Sequence, residues 1–314
     1  MMRHLKASKP INIRLTDKLL SELDLLANSF SLSRSEIVRQ ALVFYLSALK
    51  STSKSLTKPP KPHFTSPSYM RRGDVLLIKR SHGYVLAMSC SSSGGIGEKP
   101  LDKVKAPGRL LGMYMARLAI MDLACIGVKP LGIALALSVS PYDGRDIVEG
   151  VKATLLRVGI DADRALLLNA EENINVAQTG LGIVAIGEID EEQLKIGLSK
   201  PGDKLVLVGK PYVGDLALRA IEAGRAAELW EIERFLNSTA VHEVIPVDSK
   251  GIEYEASILA YMSGRRLKLY SDVSVDLKCS GGPATSVLLS VDPQGINEVK
   301  QLTSKPLEVV GELL

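Results

Sequence analysis

The sequence predicts an α+β protein: a small basic arm followed by a large domain in two parts. Three observations carry that expectation. Apolar residues alternate over Ile11 to Leu15 and then recur at helical spacing as far as Leu49. Next comes Lys50 to Ser68, rich in Lys, Ser, Thr and Pro and without apolar periodicity, which reads as a linker partly extended by its prolines. Beyond it, short strand-like runs and helical runs are interspersed, the order of a mixed-sheet domain. These shifts set the expected boundaries at 1–50 for the arm, 51–70 for the linker, and 71–200 and 201–314 for the two halves.

In the arm, Ile11, Ile13 and Leu15 fall on one face of a short strand, and Asn12 and Arg14 on the other. Thr16 is placed to cap a helix carrying Leu19, Leu20, Leu23, Leu26 and Ala27 that ends near Asn28 to Ser31. Ser33 and Glu36 form a capping box for a second helix, with Ile37, Ala41, Leu42, Tyr45 and Leu49 inward. One strand and two helices cannot bury a core alone, so a second copy or another surface must complete the unit.

The order and lengths in INIRLTDKLLSELDLLANSFSLSRSEIVRQALVFYL resemble the ribbon-helix-helix DNA-binding family of the Arc and MetJ type. The resemblance implies a dimer whose paired strands form a two-stranded ribbon in the major groove. It implies that Asn12 and Arg14 face the bases, with Lys9 beside them, and that the start of the second helix, Ser33, Arg34 and Ser35, holds a phosphate. Ser31 stands where a glycine is usual at the turn between the helices. The bland alternative is an amphipathic dimerisation module with no DNA role.

Charge agrees with a polyanion partner for this part. Residues 1–62 hold 11 Lys and Arg against 4 Asp and Glu, a balance of +7 in a chain whose formal net charge is +4. No apolar run is long enough for a membrane span, and no basic segment leading into an apolar one reads as a signal peptide. The cysteines Cys90, Cys125 and Cys279 are dispersed, as are His4, His63, His82 and His242, so neither a disulfide framework nor a zinc site is indicated. A cytoplasmic protein is the expectation.

In the large domain, strands are expected over 75–79 and 85–89 around a turn at His82-Gly83, then over 131–139, 165–168 and 182–189. Asp143 is expected to cap a helix closing at Gly159. After the turn Pro201-Gly202-Asp203, strands over 204–209, 241–247, 267–270 and 286–291 alternate with helical stretches near 214–236, 251–263 and 294–303.

The stretch from Ser89 to Pro130 is the centre of this domain. Ser91 to Gly97 is expected to leave a buried strand as a loop with exposed amides and hydroxyls, a setting that suits phosphate. Pro107 to Ile126 reads as one largely buried helix closed by Gly127 and Pro130. Asp122 is the only acid between Lys105 and Lys129, near a helix C-terminus where negative charge is disfavoured. It therefore needs a cation, either Lys or Arg or a metal ion. The plain alternatives are a turn at the glycines, a solvated basic edge for Lys99, Lys103 and Lys105, and an exposed turn for Glu171 and Glu172.

The motifs SSGGIGEKPLDKVKAP, ARLAIMDLACIGVKP and NAEENINVAQTGLGIVAIGEI resemble the aminoimidazole-ribonucleotide synthetase, or PurM-like, superfamily, and within it α-ribazole kinase of cobamide salvage. The resemblance covers about residues 71–314. It implies a half whose strands form a dimer barrel and an α/β C-terminal half beside it, with ATP and Mg²⁺ in the cleft. Ser92, Ser93, Gly94, Gly95 and Gly97 would approach the phosphates, Lys99 and Lys105 would neutralise them, and Asp122, with Ser91, would hold metal. Glu171, Glu172 and Asn173 would add metal or substrate contacts. This suits phosphoryl transfer, whose catalysis is mostly positioning and charge neutralisation. Related enzymes commonly carry an aspartate where Ser91 or Ser92 stands, and thiamine-monophosphate kinases often an acidic pair after glycines like those of Cys279 to Pro283. Three functions are therefore expected: a small-molecule kinase with a DNA-binding regulatory arm, a transcriptional regulator whose large domain only senses a ligand, or a superfamily member acting through an acyl-phosphate or iminophosphate.

Overall fold

The computed structural model describes residues 13–30, 32–42, 69–80 and 83–314. Lys9, Ile11, Asn12 and Ser31, and the linker as far as Ser68, lie outside them. The chain divides into two compact units, Met1–Pro59 and Pro60–Leu314.

In the first unit α1 spans Asp17–Phe30, and a second helix, α2, covers 34–42. Thr16 Oγ1 accepts from the Leu19 amide (3.4 Å) and Ser33 Oγ from the Glu36 amide (3.2 Å), so both starts are set by the hydroxyls the sequence offers. Leu19, Leu20 and Leu26 remain exposed on α1, and among its described side chains only Ala27 is buried. An amphipathic helix with an open apolar face needs another surface to cover it. Ile13 to Thr16 has no regular secondary structure in the single chain. Ile11 and Asn12 of the expected strand lie outside the described residues, and a lone strand of this length gains stability only from a ladder partner.

The second unit opens with a six-stranded sheet. Its strands are β1 (Tyr69–Arg72), β2 (Val75–Lys79), β3 (Tyr84–Gly94), β6 (Pro130–Leu137), β7 (Leu166–Ala170) and β8 (Gly180–Asp190), ordered β1-β2-β3-β8-β6-β7. All neighbours are antiparallel except the β6–β7 pair. Tyr69 and Met70, read from sequence as the end of the linker, already belong to β1. Two short strands, β4 (Ile96–Gly97) and β5 (Val104–Lys105), pair by themselves.

Helices α3 (Gly108–Ala124) and α4 (Arg145–Arg157) cover one face of the sheet. They lie close because each offers a glycine: a Cβ on Gly112 would stand 1.9 Å from the Ile147 carbonyl oxygen, and one on Gly150 2.1 Å from that of Arg109. Asp143 does not cap α4. Gly144 takes that position, and Asp143 turns away to pair with Lys99 and Ser140. The opposite sheet face is half-exposed. Leu76, Met88 and Ile186 make one row across it, and Cys90, Val184, Ala134 and Leu167 the next.

After the short α5 (Ala162–Ala165) and β8, the C-terminal half is a five-stranded antiparallel sheet. Its strands are β9 (Lys204–Val208), β10 (Val241–Val247), β11 (Leu267–Leu269), β12 (Ser286–Val291) and β13 (Leu307–Leu313), ordered β10-β12-β9-β13-β11. The helical stretch expected over 214–236 is two helices, α6 (Gly214–Glu222) and α7 (Leu229–Asn237), separated around Gly224. With α9 (Ile296–Leu302), α7 buries Ile232, Phe235 and Val299 on one face, and α8 (Ile252–Met262) packs Ile252, Ala256 and Leu259 on the other. Phe235 is fully buried, and truncating such a side chain costs about 3–5 kcal/mol.

Met121 of α3 and Cys125, its C-cap, enter the core of the C-terminal half, while Leu111, Met115 and Ala119 enter that of the first. This explains why the helix is apolar nearly all round. Arg117, also buried, fixes the junction by donating to the carbonyls of Ala227, Pro283 (2.9 Å) and Ala284 (3.0 Å).

Candidate functional site

The expected site resolves into two places at opposite ends of α3. At its start, β3 does not release a loop at Ser91. It stays paired with β8 as far as Gly94 opposite Gly180, so Ser91, Ser92 and Ser93 are strand residues. Their backbone groups therefore belong to a ladder whose partner strand is far along the chain. Only Gly95 turns away, at a φ of 71°, and its amide is taken by the Thr179 carbonyl at 2.8 Å.

Asp102, which the sequence reading overlooked, holds this segment together. Its buried carboxylate accepts from the Thr179 amide (2.7 Å), Thr179 Oγ1 (2.7 Å) and the Lys99 amide (2.8 Å). Burial alone would raise its pKa, but these hydrogen bonds outweigh it and hold the carboxyl below its usual value. Gly97 follows from the same packing, since a Cβ there would stand 2.4 Å from Thr179 Oγ1. The one available signal was an acid three residues after Lys99 in a turn, which names no partner.

The lysines are engaged. Lys99 Nζ lies 2.6 Å from Asp143 Oδ2 and 3.5 Å from Asn175 Oδ1, and Lys105 Nζ donates to the carbonyls of Lys99 (2.6 Å) and Pro100 (3.2 Å). The Lys99 hydrogen bond holds Asp143 below the usual carboxylate range. Glu171 turns back on its own loop, accepting from the amides of Asn173 (2.8 Å) and Ile174 (3.0 Å), and those bonds lower its pKa. Glu172 and Asn173 are exposed. The structure thus brings Gly94 and Gly95 beside Val176 to Gly180, around an open concavity that Lys103 and Ser138 also line, and Glu171, Glu172 and Asn173 do not line it.

Asp122 is elsewhere. Gly108 donates to Glu98 Oε2 (3.1 Å) at the glycine end of α3, and Asp122 lies 14 residues on, about 21 Å along the axis. It is 5% exposed, its Oδ2 has no hydrogen-bond partner, and it lines a small cavity with Arg72, Asp74, Asp248, Lys250, Tyr254 and Glu255.

These residues come from four places: the β1–β2 turn, the end of α3, the segment after β10, and the first two turns of α8. Asp248 Oδ1 is likewise buried without a partner. Burial raises Asp122 far above the carboxylate range, and the charges of Asp248, Asp74 and Glu255 push it further against the pull of Arg72. Burial and Asp74 push Asp248 up to about 7. Burial and Asp248 push Glu255 up to about 8. Acids crowded this way favour a cation or shared protons.

Among the described residues no group of three or more His, Cys, Asp or Glu is placed to hold a metal ion by itself. Sequence reasoning found Asp122 as an anomaly but not Asp74, Asp248 or Glu255, each of which sits in ordinary polar sequence.

Fold and family comparisons agree on the class of protein. The chain is an α+β protein in which residues 9–48 match the family described as "Ribbon-helix-helix protein, copG family", and the large domain shares its fold with solved structures of two kinds, hydrogenase maturation protein HypE and AaThiL. Solved structures similar to it include the HypE–HypF complex (16% identity, TM-score 0.56, covering 76% of this chain and 86% of that one). Hydrogenase maturation protein HypE in complex with ATP is also similar (14%, TM-score 0.52, 73% and 76%). So is AaThiL, a thiamine-monophosphate kinase of Aquifex aeolicus, complexed with AMPPCP and TMP (12%, TM-score 0.52, 76% and 84%). Identities this low establish the fold alone. No curated protein matches the chain by sequence. No helix among the described residues is long and apolar enough to cross a membrane.

Proposed function

We propose that this chain is a DNA-binding protein whose PurM-like domain binds ATP with Mg²⁺ and transfers a phosphoryl group to a small molecule, an activity of the α-ribazole kinase kind. The arm would couple that domain to transcription, in the cytoplasm. One observation carries the nucleotide reading: four carboxylates from separate elements meet around a cavity, and two of their buried oxygens lack partners. Mg²⁺ is typically bound through one or two carboxylates, several waters and substrate phosphates rather than by an all-protein cage. A pocket rich in acids but without three converging ones fits that mode.

Asp122 and Asp248 would hold the ion, with Asp74 at the rim, and the bound ion would neutralise phosphate charge. The protein's own contribution is to fix these carboxylates on rigid elements and keep the pocket small. Because about 21 Å of α3 separates Asp122 from the glycine segment, the metal-bound phosphates belong at the carboxylate pocket. Ser91 to Gly97, Lys99, Lys105 and Glu171 to Asn173 would then form a second surface for other parts of the ligands. The half-exposed apolar rows of the six-stranded sheet and the open face of α1 support a homodimer.

The engagement of Lys99 and Lys105 within the chain favours a second reading, a regulator that binds the nucleotide without turning it over. Incubating the full chain with Mg²⁺, γ-labelled ATP and nucleoside acceptors, α-ribazole included, separates the two. Labelled acceptor supports the kinase, ATP bound but intact supports the sensor, and absence of binding removes both.

A further inference from the structure

The carboxylate pocket contains four acids, Asp74, Asp122, Asp248 and Glu255, against two cations, Arg72 and Lys250, so its acids outnumber its cations by two. Such a pocket repels a polyphosphate unless positive charge meets it. The two cations are not equivalent. Arg72 is 3% exposed, its Nη2 donates to the Val244 carbonyl at 2.7 Å, and it faces the buried Glu243 at 3.9 Å. It is locked into the sheet junction.

Lys250 sits in the turn between β10 and α8, just before Gly251, the N-cap of α8. Its side chain is 48% exposed, and Nζ lies 3.7 Å from Asp74 Oδ1, beyond hydrogen-bond length. Nζ also stands 4.6 Å from the centroid of the Tyr254 ring and donates a long hydrogen bond, 3.4 Å, to the Tyr254 hydroxyl. One long hydrogen bond to Tyr254 and one ion pair beyond hydrogen-bond length keep the half-exposed ammonium at the rim.

We infer that Lys250 is a phosphate-contacting residue of this pocket, a tethered cation that swings from Asp74 to the phosphates of an entering nucleotide; the inference rests on the nucleotide-binding reading above. In that role it supplies positive charge from the chain itself beside a single divalent ion, the division of labour common in phosphoryl-transfer sites. It also predicts opposite effects on two ligands. Metal alone competes with the ammonium for Asp74, whereas nucleotide recruits it.

The test is calorimetric titration of the full chain, as wild type, Lys250→Gln and Lys250→Arg, with Mn²⁺ alone and with ATP in excess Mg²⁺. Lys250→Gln should weaken ATP binding by about ten-fold or more, and Lys250→Arg should restore most of it. Mn²⁺ alone should bind Lys250→Gln at least as tightly as wild type. ATP affinity in Lys250→Gln within about two-fold of wild type, with wild-type binding intact, overturns the role of Lys250 while leaving the nucleotide site standing. Loss of Mn²⁺ and ATP binding together in Lys250→Gln also overturns it, because that pattern marks a structural residue. A wild-type chain that binds neither ligand removes the nucleotide site and this inference with it.

Discussion

Replacing Asp122 by Asn keeps the side-chain shape and removes one charge from the crowded pocket. The carboxylate is 5% exposed with an unpartnered oxygen, and an unsatisfied buried polar group costs about 1–3 kcal/mol, more when charged. Its nearest charged influences are dominated by Asp248, Asp74 and Glu255, with Arg72 weaker. Asp122→Asn without metal at pH 8 should therefore gain about 1–3 kcal/mol of stability. Wild type in Mg²⁺ and ATP at about a hundred times Kd should gain about 2.7 kcal/mol, which the variant should forgo. For a domain of this size that is roughly 5–10 °C in Tm. Differential scanning calorimetry of both proteins, with and without Mg²⁺ and ATP, reads each difference. A variant that melts lower than wild type without ligand and keeps the full ligand-induced shift would refute the reasoning, because it would mark Asp122 as one half of a structural ion pair.

The same pocket sets a pH dependence. Because the folded-state pKa values of Asp248 and Glu255 are raised, their stabilising contribution is complete below the unfolded carboxylate value, near 4, and is lost as pH rises through about 7 to 8, and the raised Asp122 acts in the same direction. Metal-free stability from chemical denaturation should fall between pH 5 and 9 (about a few kcal/mol), and Mg²⁺ should recover part of it at the upper end. In the glycine segment, Asp102→Asn should destabilise by about 2–4 kcal/mol in urea melts, since it removes the acceptor shared by Thr179 and Lys99. In the arm, Arg14→Ala should cost about 1–3 kcal/mol at one base position of a selected DNA site, and Lys9→Ala should weaken all sequences alike in gel-shift assays. A fragment over residues 69–314, which keeps β1 whole, should be a dimer by analytical ultracentrifugation, and Val184→Asp on the open sheet face should make it monomeric.

How far the sequence could be read depended on how local each signal was. The strand over 75–79 and the capped starts of α1 and α2 follow from a few adjacent residues, and the structure places them where periodicity and capping do. The glycine segment misled because glycines and serines say turn locally, whereas the ladder from Tyr84 opposite Asp190 to Gly94 opposite Gly180 is a tertiary decision. β13 was missed altogether: LEVVGEL has a glycine within it and no clean alternation, and its pairing with β9 and β11 is what makes it a strand. Asp122 stood out because a lone acid in an apolar helix is anomalous anywhere. Its companions did not, since Asp74, Asp248 and Glu255 look like surface acids until folding draws them together. Lys99 and Lys105 had the right chemistry for phosphate, but the fold gives their ammonium groups other partners.

Direct titration of ATP into the full chain, once in excess Mg²⁺ and once in EDTA, tests the central claim that the carboxylate pocket is a metal-dependent nucleotide site. One site per chain should bind strongly only with Mg²⁺ and be lost in Asp122→Asn. Equal affinity in Mg²⁺ and EDTA, or unchanged Mg²⁺-dependent binding in Asp122→Asn, would contradict it.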